Sequence, residues 1–140
     1  MEAKTYLNRA FELQQLIEQK ENLLNAYISN AEKITPSYAQ DVVQTSLNPD
    51  GRIPTAVEKI IRVEEKLRVL SEEYDEVRNE ISNMISNVDD GIIEDVLRLR
   101  YLDFMKWKDI AKALSMSERT IYRLHAGGIF IIDKILMQNI

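Results

Sequence analysis

Residues 107–125 read WKDIAKALSMSERTIYRLH, and this stretch decides the fold of the C-terminal part of the chain. Its apolar residues recur where the two helices of a helix-turn-helix pack on each other. These residues are Ile110, Leu114, Met116, Ile121 and Leu124. The small residue Ala111 suits the position at which the two helices cross closely. The spacing therefore predicts two short helices joined by a tight turn.

The turn is predicted at Ser115, where helix-turn-helix motifs usually carry Gly because the backbone bends there. Ser115 departs from that preference. Ser117 stands where an N-cap is wanted, directly before Glu118. We therefore expect the second helix to begin at Glu118.

The outward face of this second helix is predicted to read DNA bases, because Ile121 and Leu124 point inward. The base-reading residues are Glu118, Arg119, Tyr122 and Arg123. Arg119 or Arg123 could donate two hydrogen bonds to a guanine, and Glu118 could accept one from a cytosine. The pattern thus indicates contacts with base edges in the major groove.

A second set of side chains is predicted to contact the DNA backbone. It consists of Lys106, Lys108, Lys112, Ser117, Thr120 and His125. The three lysines lie on or next to the supporting helix, where they could neutralise phosphates. For His125 the alternative is a packing role. A metal site is not expected, because His125 is the only histidine and the chain has no cysteine.

The charge of the chain is unevenly distributed. The formal net charge is −5, but residues 1–97 hold 10 Lys/Arg and 19 Asp/Glu, whereas residues 98–140 hold 8 and 4. The body is therefore acidic and the C-terminal end is modestly basic, as DNA binding by that end requires.

The remainder of the chain predicts long helices. Apolar residues return at helical spacing from Thr5 to about Ile34, and from Ile60 to Val88 they alternate steps of three and four. This second seam must be buried, either in an antiparallel hairpin with the first helix or between two chains. We predict an all-α fold, with a helical hairpin or coiled coil for oligomerisation over residues 1–88 and a helix-turn-helix domain over residues 89–140. Three prolines and Asp50-Gly51 predict a loop over residues 35–54.

The stretch LRLRYLDFMKWKDIAKALSMSERTIYRLHAGGI, Leu97 to Ile129, resembles region 4 of bacterial sigma factors, which reads the −35 promoter element. It is still more similar to a family of small phage and prophage proteins taken as late-gene transcription regulators. The resemblance extends to the long N-terminal helix, the Val43–Ser46 segment and the glutamate-rich helix. It implies an activator of late phage genes that acts beside host RNA polymerase. It also puts Glu118, Arg119, Tyr122 and Arg123 at promoter bases.

The expected function is sequence-specific binding of double-stranded DNA for transcription control, by a homodimer in the bacterial cytoplasm. One alternative is a DNA-packaging protein like the small terminase subunit, and another is a protein-interaction module without DNA binding. No Gly-rich phosphate loop or Ser/His/Asp arrangement occurs, so we expect no enzymatic activity and no cofactor. No apolar run approaches the length of a membrane span, so no membrane contact is expected.

Overall fold

The structure is a computed structural model. It describes the backbone of residues 1–45 and 55–138 and the side chains of residues 1–33 and 55–138. Throughout these ranges the regular structure is α-helical, without strands, which confirms the all-α prediction. The helices are α1 (Ala3–Leu7), α2 (Arg9–Thr45), α3 (Ala56–Ser86), α4 (Gly91–Tyr101), α5 (Trp107–Leu114) and α6 (Glu118–Gln138).

Helix α2 runs eleven residues into the segment predicted as a loop, because its last residue is Thr45. Pro36 removes one backbone donor, but no further Pro or Gly follows it before Pro49. The rest of the predicted loop, residues 46–54, lies outside the described residues. So do the side chains of Val43–Ser46.

Two helices begin at a side-chain N-cap. The Thr55 hydroxyl accepts a hydrogen bond from the backbone N–H of Glu58 at 3.1 Å and begins α3. The Asp90 carboxylate accepts from the N–H of Ile93, also at 3.1 Å, and begins α4. Each cap supplies a partner for one of the N–H groups that the first turn of a helix leaves unpaired.

The chain divides into two compact units. One consists of Met1–Gln14 and Glu73–Ile140, and the other is Gln15–Glu72. This grouping follows contacts between segments that are distant in sequence. The division at residue 88 remains a prediction.

The larger unit has a core of side chains contributed by every helix from α1 to α6. Its fully buried large residues are Leu7, Ile81, Ile85, Val96, Leu97, Ile110, Ile121 and Ile132. The Arg98 guanidinium fixes α4 to α3 by donating to the hydroxyls of Ser82 and Ser86 at 2.8 and 2.9 Å. Arg78 of α3 donates to the carbonyl of Leu102 after α4. The core thus places α4 as the platform for the two helices that follow.

Helix α6 continues without interruption through Gly127-Gly128. A Cβ atom on Gly128 would lie 2.8 Å from Ile93 Cγ2 and 2.9 Å from Leu97 Cδ1. Gly128 therefore allows α6 to approach α4 more closely than any other residue would.

The end of α6 packs within its own unit. Ile132 is fully buried, and the carboxylate of Asp133 accepts a hydrogen bond of 2.7 Å from the backbone N–H of Ala3. This bond gives the first turn of α1 a partner. Phe130 and Met137 remain exposed on the other side of the helix.

The smaller unit consists of parts of α2 and α3, which run antiparallel to each other. Lys59 Nζ lies 5.8 Å from the ring centroid of Tyr27, while Leu16 shares a groove with Val69 and Leu70. These contacts lie within one chain. Whether the helices also pair between chains remains a prediction.

Candidate nucleic-acid interface

Helices α5 and α6 pack on each other through the residues that the 107–125 spacing places inward. Ile110 and Ile121 are fully buried, and Ala111 is 7% exposed. Leu114, Met116 and Leu124 are half-buried against this cluster, which also includes Val96 of α4. An apolar core shared by three helices fixes the orientation of α6, because well-packed side chains leave few alternative arrangements.

Ser115 bends the chain after α5 with a left-handed backbone, φ 54° and ψ 45°. The N–H of Met116 donates to the carbonyl of Ala111 at 2.9 Å, which closes the end of α5. This is the conformation for which Gly is preferred, and it explains why such motifs usually carry Gly at this position.

Ser117 precedes α6 and its hydroxyl accepts a hydrogen bond of 3.2 Å from the N–H of Thr120. The hydroxyls of Ser117 and Thr120 lie 2.9 Å apart and form a second bond. The N-cap predicted at Ser117 is therefore formed. Ser117 is exposed and Thr120 is half-buried, so the two hydroxyls lie at the surface where α6 begins.

All four residues predicted to read bases lie on the exposed side of α6. Glu118, Arg119 and Arg123 are exposed, and Tyr122 is 49% exposed. Arg119, Thr120 and Arg123 border a surface hollow of about 370 Å³. The structure thus brings both guanidinium groups to the same face, since residues four apart in a helix are neighbours.

Tyr122 is held by an aromatic contact rather than projecting freely. Its ring lies 5.1 Å from that of Trp107, at an angle of 54°. The Arg100 guanidinium lies over the Trp107 ring at 4.4 Å and donates to the carbonyl of Met105 at 2.9 Å. Through these two contacts Arg100 helps to orient the start of α5.

Lys106, Lys108 and Lys112 are exposed at the start and along the length of α5. Lys108 and Lys112 are four residues apart and share one side of that helix. The three lysines and the arginines Arg119 and Arg123 together supply five cations at the surface of α5 and the start of α6. Such a concentration of positive charge favours contact with a polyanion.

His125 lies inside the unit and not on the exposed surface with the other predicted contact residues. It is 8% exposed, its Nε2 lies 2.6 Å from the Tyr101 hydroxyl, and its ring lies 4.6 Å from that of Trp107. Burial, together with the smaller effect of the positive charges of Lys4 and Arg100, lowers the pKa of His125 to about 4. This position favours the packing alternative, because an imidazole buried beside Tyr101 and Trp107 cannot reach a phosphate of bound DNA.

Burial also raises the pKa of Tyr101 to about 12, so its hydroxyl stays protonated near neutral pH. A neutral His125 Nε2 can then accept the proton of that hydroxyl. The helical spacing predicts that Tyr101 packs in the apolar core. It does not predict that the Tyr101 hydroxyl bonds to a residue on α6.

Within the described ranges no cluster of three or more His, Cys, Asp or Glu residues could hold a metal ion. None of the described helices is both long enough and apolar enough to cross a membrane.

Comparison with known proteins gives one family. Residues 54–132 match the family described as "Protein of unknown function (DUF1492)". The chain belongs to the DUF1492 family. The matched region takes in α3, α4, α5 and α6 up to its buried Ile132, and so includes the whole 107–125 stretch. No curated protein and no solved structure matched the chain.

Proposed function

We propose that this DUF1492 protein is a sequence-specific DNA-binding transcription regulator in which Trp107–His125 forms a helix-turn-helix of the sigma region 4 type. One observation carries the proposal: α6 buries Ile121 while it exposes Arg119 and Arg123 on its other side. A recognition helix needs this division, because its apolar face holds it on the domain and its polar face enters the major groove.

Glu118, Arg119, Tyr122 and Arg123 are the proposed base-reading residues. The two arginines suit guanine, which offers two acceptors to a guanidinium. Glu118 suits cytosine, and its negative charge disfavours binding wherever a matching donor is missing. The resulting interface selects among sequences at the expense of overall affinity.

Lys106, Lys108, Lys112, Ser117 and Thr120 are the proposed contacts to phosphates. Backbone contacts fix the register of the protein on the duplex and supply most of the affinity. His125 would act indirectly, by supporting Trp107 and through it the ring of Tyr122.

The resemblance to small phage regulators supports activation of late phage genes beside bacterial RNA polymerase, in the cytoplasm of the host. A single motif covers only half of a palindromic site, so its affinity alone is low. A second copy, paired through the long helices of residues 1–88, or a bound polymerase would raise the effective affinity.

Selection of bound duplexes from a random double-stranded DNA pool, followed by mobility shifts, tests this function. We expect an enriched sequence and a plot of log affinity against log salt with a slope of about −3, because three of the proposed phosphate contacts are lysines. Absence of an enriched sequence and of any shift at low salt, with and without bacterial RNA polymerase, would refute the proposal.

The mass in solution on the enriched DNA separates the regulator from a packaging protein. A regulator that reads a palindrome binds as two copies. A ring of many copies is expected of a protein like the small terminase subunit and would contradict the regulatory function.

A further inference from the structure

A groove lies between α2 and α3 within the unit Gln15–Glu72. It consists of two adjoining hollows of about 490 and 310 Å³ that share Lys20, Glu65 and Lys66 in their walls. Its apolar lining includes Leu16, Leu23, Ile61, Val69 and Leu70. Its lining includes no residue of α5 or α6, the helices proposed to bind DNA.

Three apolar residues of this groove are exposed to solvent to an unusual degree. Ile61 is 57% exposed, Val69 is 48% exposed and Leu16 is 43% exposed, whereas Val63 beside them is buried. Ile61 and Val69 lie about two turns apart on α3, and Leu16 of α2 lines the same groove, so the three side chains form a stripe rather than isolated surface residues. A contiguous apolar surface in a groove is typical of a binding site for another protein.

The walls of the groove are positively charged although the body of the protein is acidic. Lys20, Arg62 and Lys66 line it, and none of them forms an ion pair with another described residue. The one carboxylate in the walls, Glu65, is bound by Arg68 at 2.6 Å, which lowers the pKa of Glu65. The groove therefore presents unmatched positive charge beside exposed apolar side chains.

This charge distribution decides which occupant fits. A second copy placed groove to groove would set Lys20, Arg62 and Lys66 against the same three cations, and like charges in an interface disfavour binding. An amphipathic helix with an apolar face and acidic flanks would bury the stripe and neutralise the rim. The stripe from Ile61 to Leu70 extends about 14 Å, so about three turns of a helix would cover it.

We propose that the groove between α2 and α3 is the docking site for an acidic amphipathic helix of a partner protein. Its apolar anchors, spaced three or four residues apart, would contact Leu16, Ile61 and Val69. Its carboxylates would pair with Lys20, Arg62 and Lys66. The proposal does not depend on DNA binding.

The full-length chain can be titrated with a fluorescent helical peptide of about 18 residues that carries Leu at the anchor positions and Glu along both flanks. A matched peptide has Lys in place of every Glu. We expect saturable binding of the Glu peptide, binding of the Lys peptide weaker by about ten-fold or more, and loss of the difference at high salt.

Three variants locate the site. Ile61→Ser with Val69→Ser should weaken binding by about ten-fold or more, and Arg62→Glu with Lys66→Glu should reverse the preference between the two peptides. Val57→Ser is the matched control, since Val57 is 64% exposed on the same helix and does not line the groove. The charge-reversal variant alters exposed side chains only, so it remains informative if the double serine variant unfolds.

Four results would overturn the proposal. They are equal binding of the two peptides, absence of saturable binding, an equal effect of Val57→Ser and the double serine variant, and a wild-type dimer that the double serine variant converts to a monomer. The last result would assign the groove to a second copy.

Discussion

The hydroxyl of Tyr101, at the end of α4, lies 2.6 Å from Nε2 of His125 on α6. This bond joins two helices through the only histidine in the chain. It is buried beside Trp107, which in turn supports the exposed Tyr122. A buried pair thus connects the core of the larger unit to the surface proposed to read DNA.

Acid should destabilise the protein through His125. The folded-state pKa is lowered from 6.5 to about 4, so the unfolded chain takes up a proton more readily between these values. The stability is fully present above about pH 6.5 and falls as the pH drops toward 4, by about 2 to 3 kcal/mol for this group. Urea unfolding at several pH values measures this change in the free energy of unfolding.

The His125→Gln variant separates this effect from the titration of carboxylates in the same range. Its free energy of unfolding should depend less steeply on pH between 6.5 and 4 than that of the wild type. Parallel profiles for the two proteins would mean that His125 does not control the acid sensitivity.

Adding a methyl group at Gly128 should destabilise the protein, while the same change at Gly127 should not. An alanine Cβ at Gly128 would overlap Ile93 and Leu97, at a cost of about 1–3 kcal/mol. At Gly127 the nearest side-chain atom, Ile93 Cδ1, is 3.6 Å away, so Gly127→Ala should gain up to about 1 kcal/mol of helix propensity. Denaturant midpoints of the two variants give the comparison, and equal midpoints would show that α6 does not pack tightly on α4.

Ser115 should tolerate glycine but not a β-branched residue. Ser115→Val places a branched side chain in the left-handed region and should cost about 1–2 kcal/mol. Ser115→Gly relieves the strain but adds freedom to the unfolded chain, so its stability should stay within about 1 kcal/mol of the wild type. Thermal unfolding distinguishes the two, and a Val variant as stable as the wild type would rule out the left-handed turn.

Arg123 and Lys112 should affect DNA binding differently. Arg123→Ala should cost about 1–3 kcal/mol on the selected sequence and relax the preference at one base pair, because its guanidinium is proposed to read a base edge. Lys112→Ala should weaken binding equally on all sequences and reduce the salt slope by about 1. Titrations on matched and scrambled duplexes measure both, and an equal loss on the two duplexes for Arg123→Ala would reassign it to a phosphate.

The glycine pair Gly127-Gly128 is a feature whose structural role the local sequence does not predict. Two adjacent glycines in a helical segment suggest a weak point, since each lowers helix propensity. The structure keeps α6 helical through them because Gly128 faces α4 at close range. That contact depends on Ile93 and Leu97, which lie more than thirty residues earlier in the chain.

The sequence by itself determined the helical class, the cap at Ser117, and the inward residues of α5 and α6. These features follow from residue spacing and from hydrogen bonds over three or four positions. The tertiary structure alone decided that His125 is buried, that Arg100 is engaged at Trp107 and that an apolar groove with cationic walls lies between α2 and α3. Burial and charge at a side chain depend on residues distant in the sequence, and only folding brings those residues together.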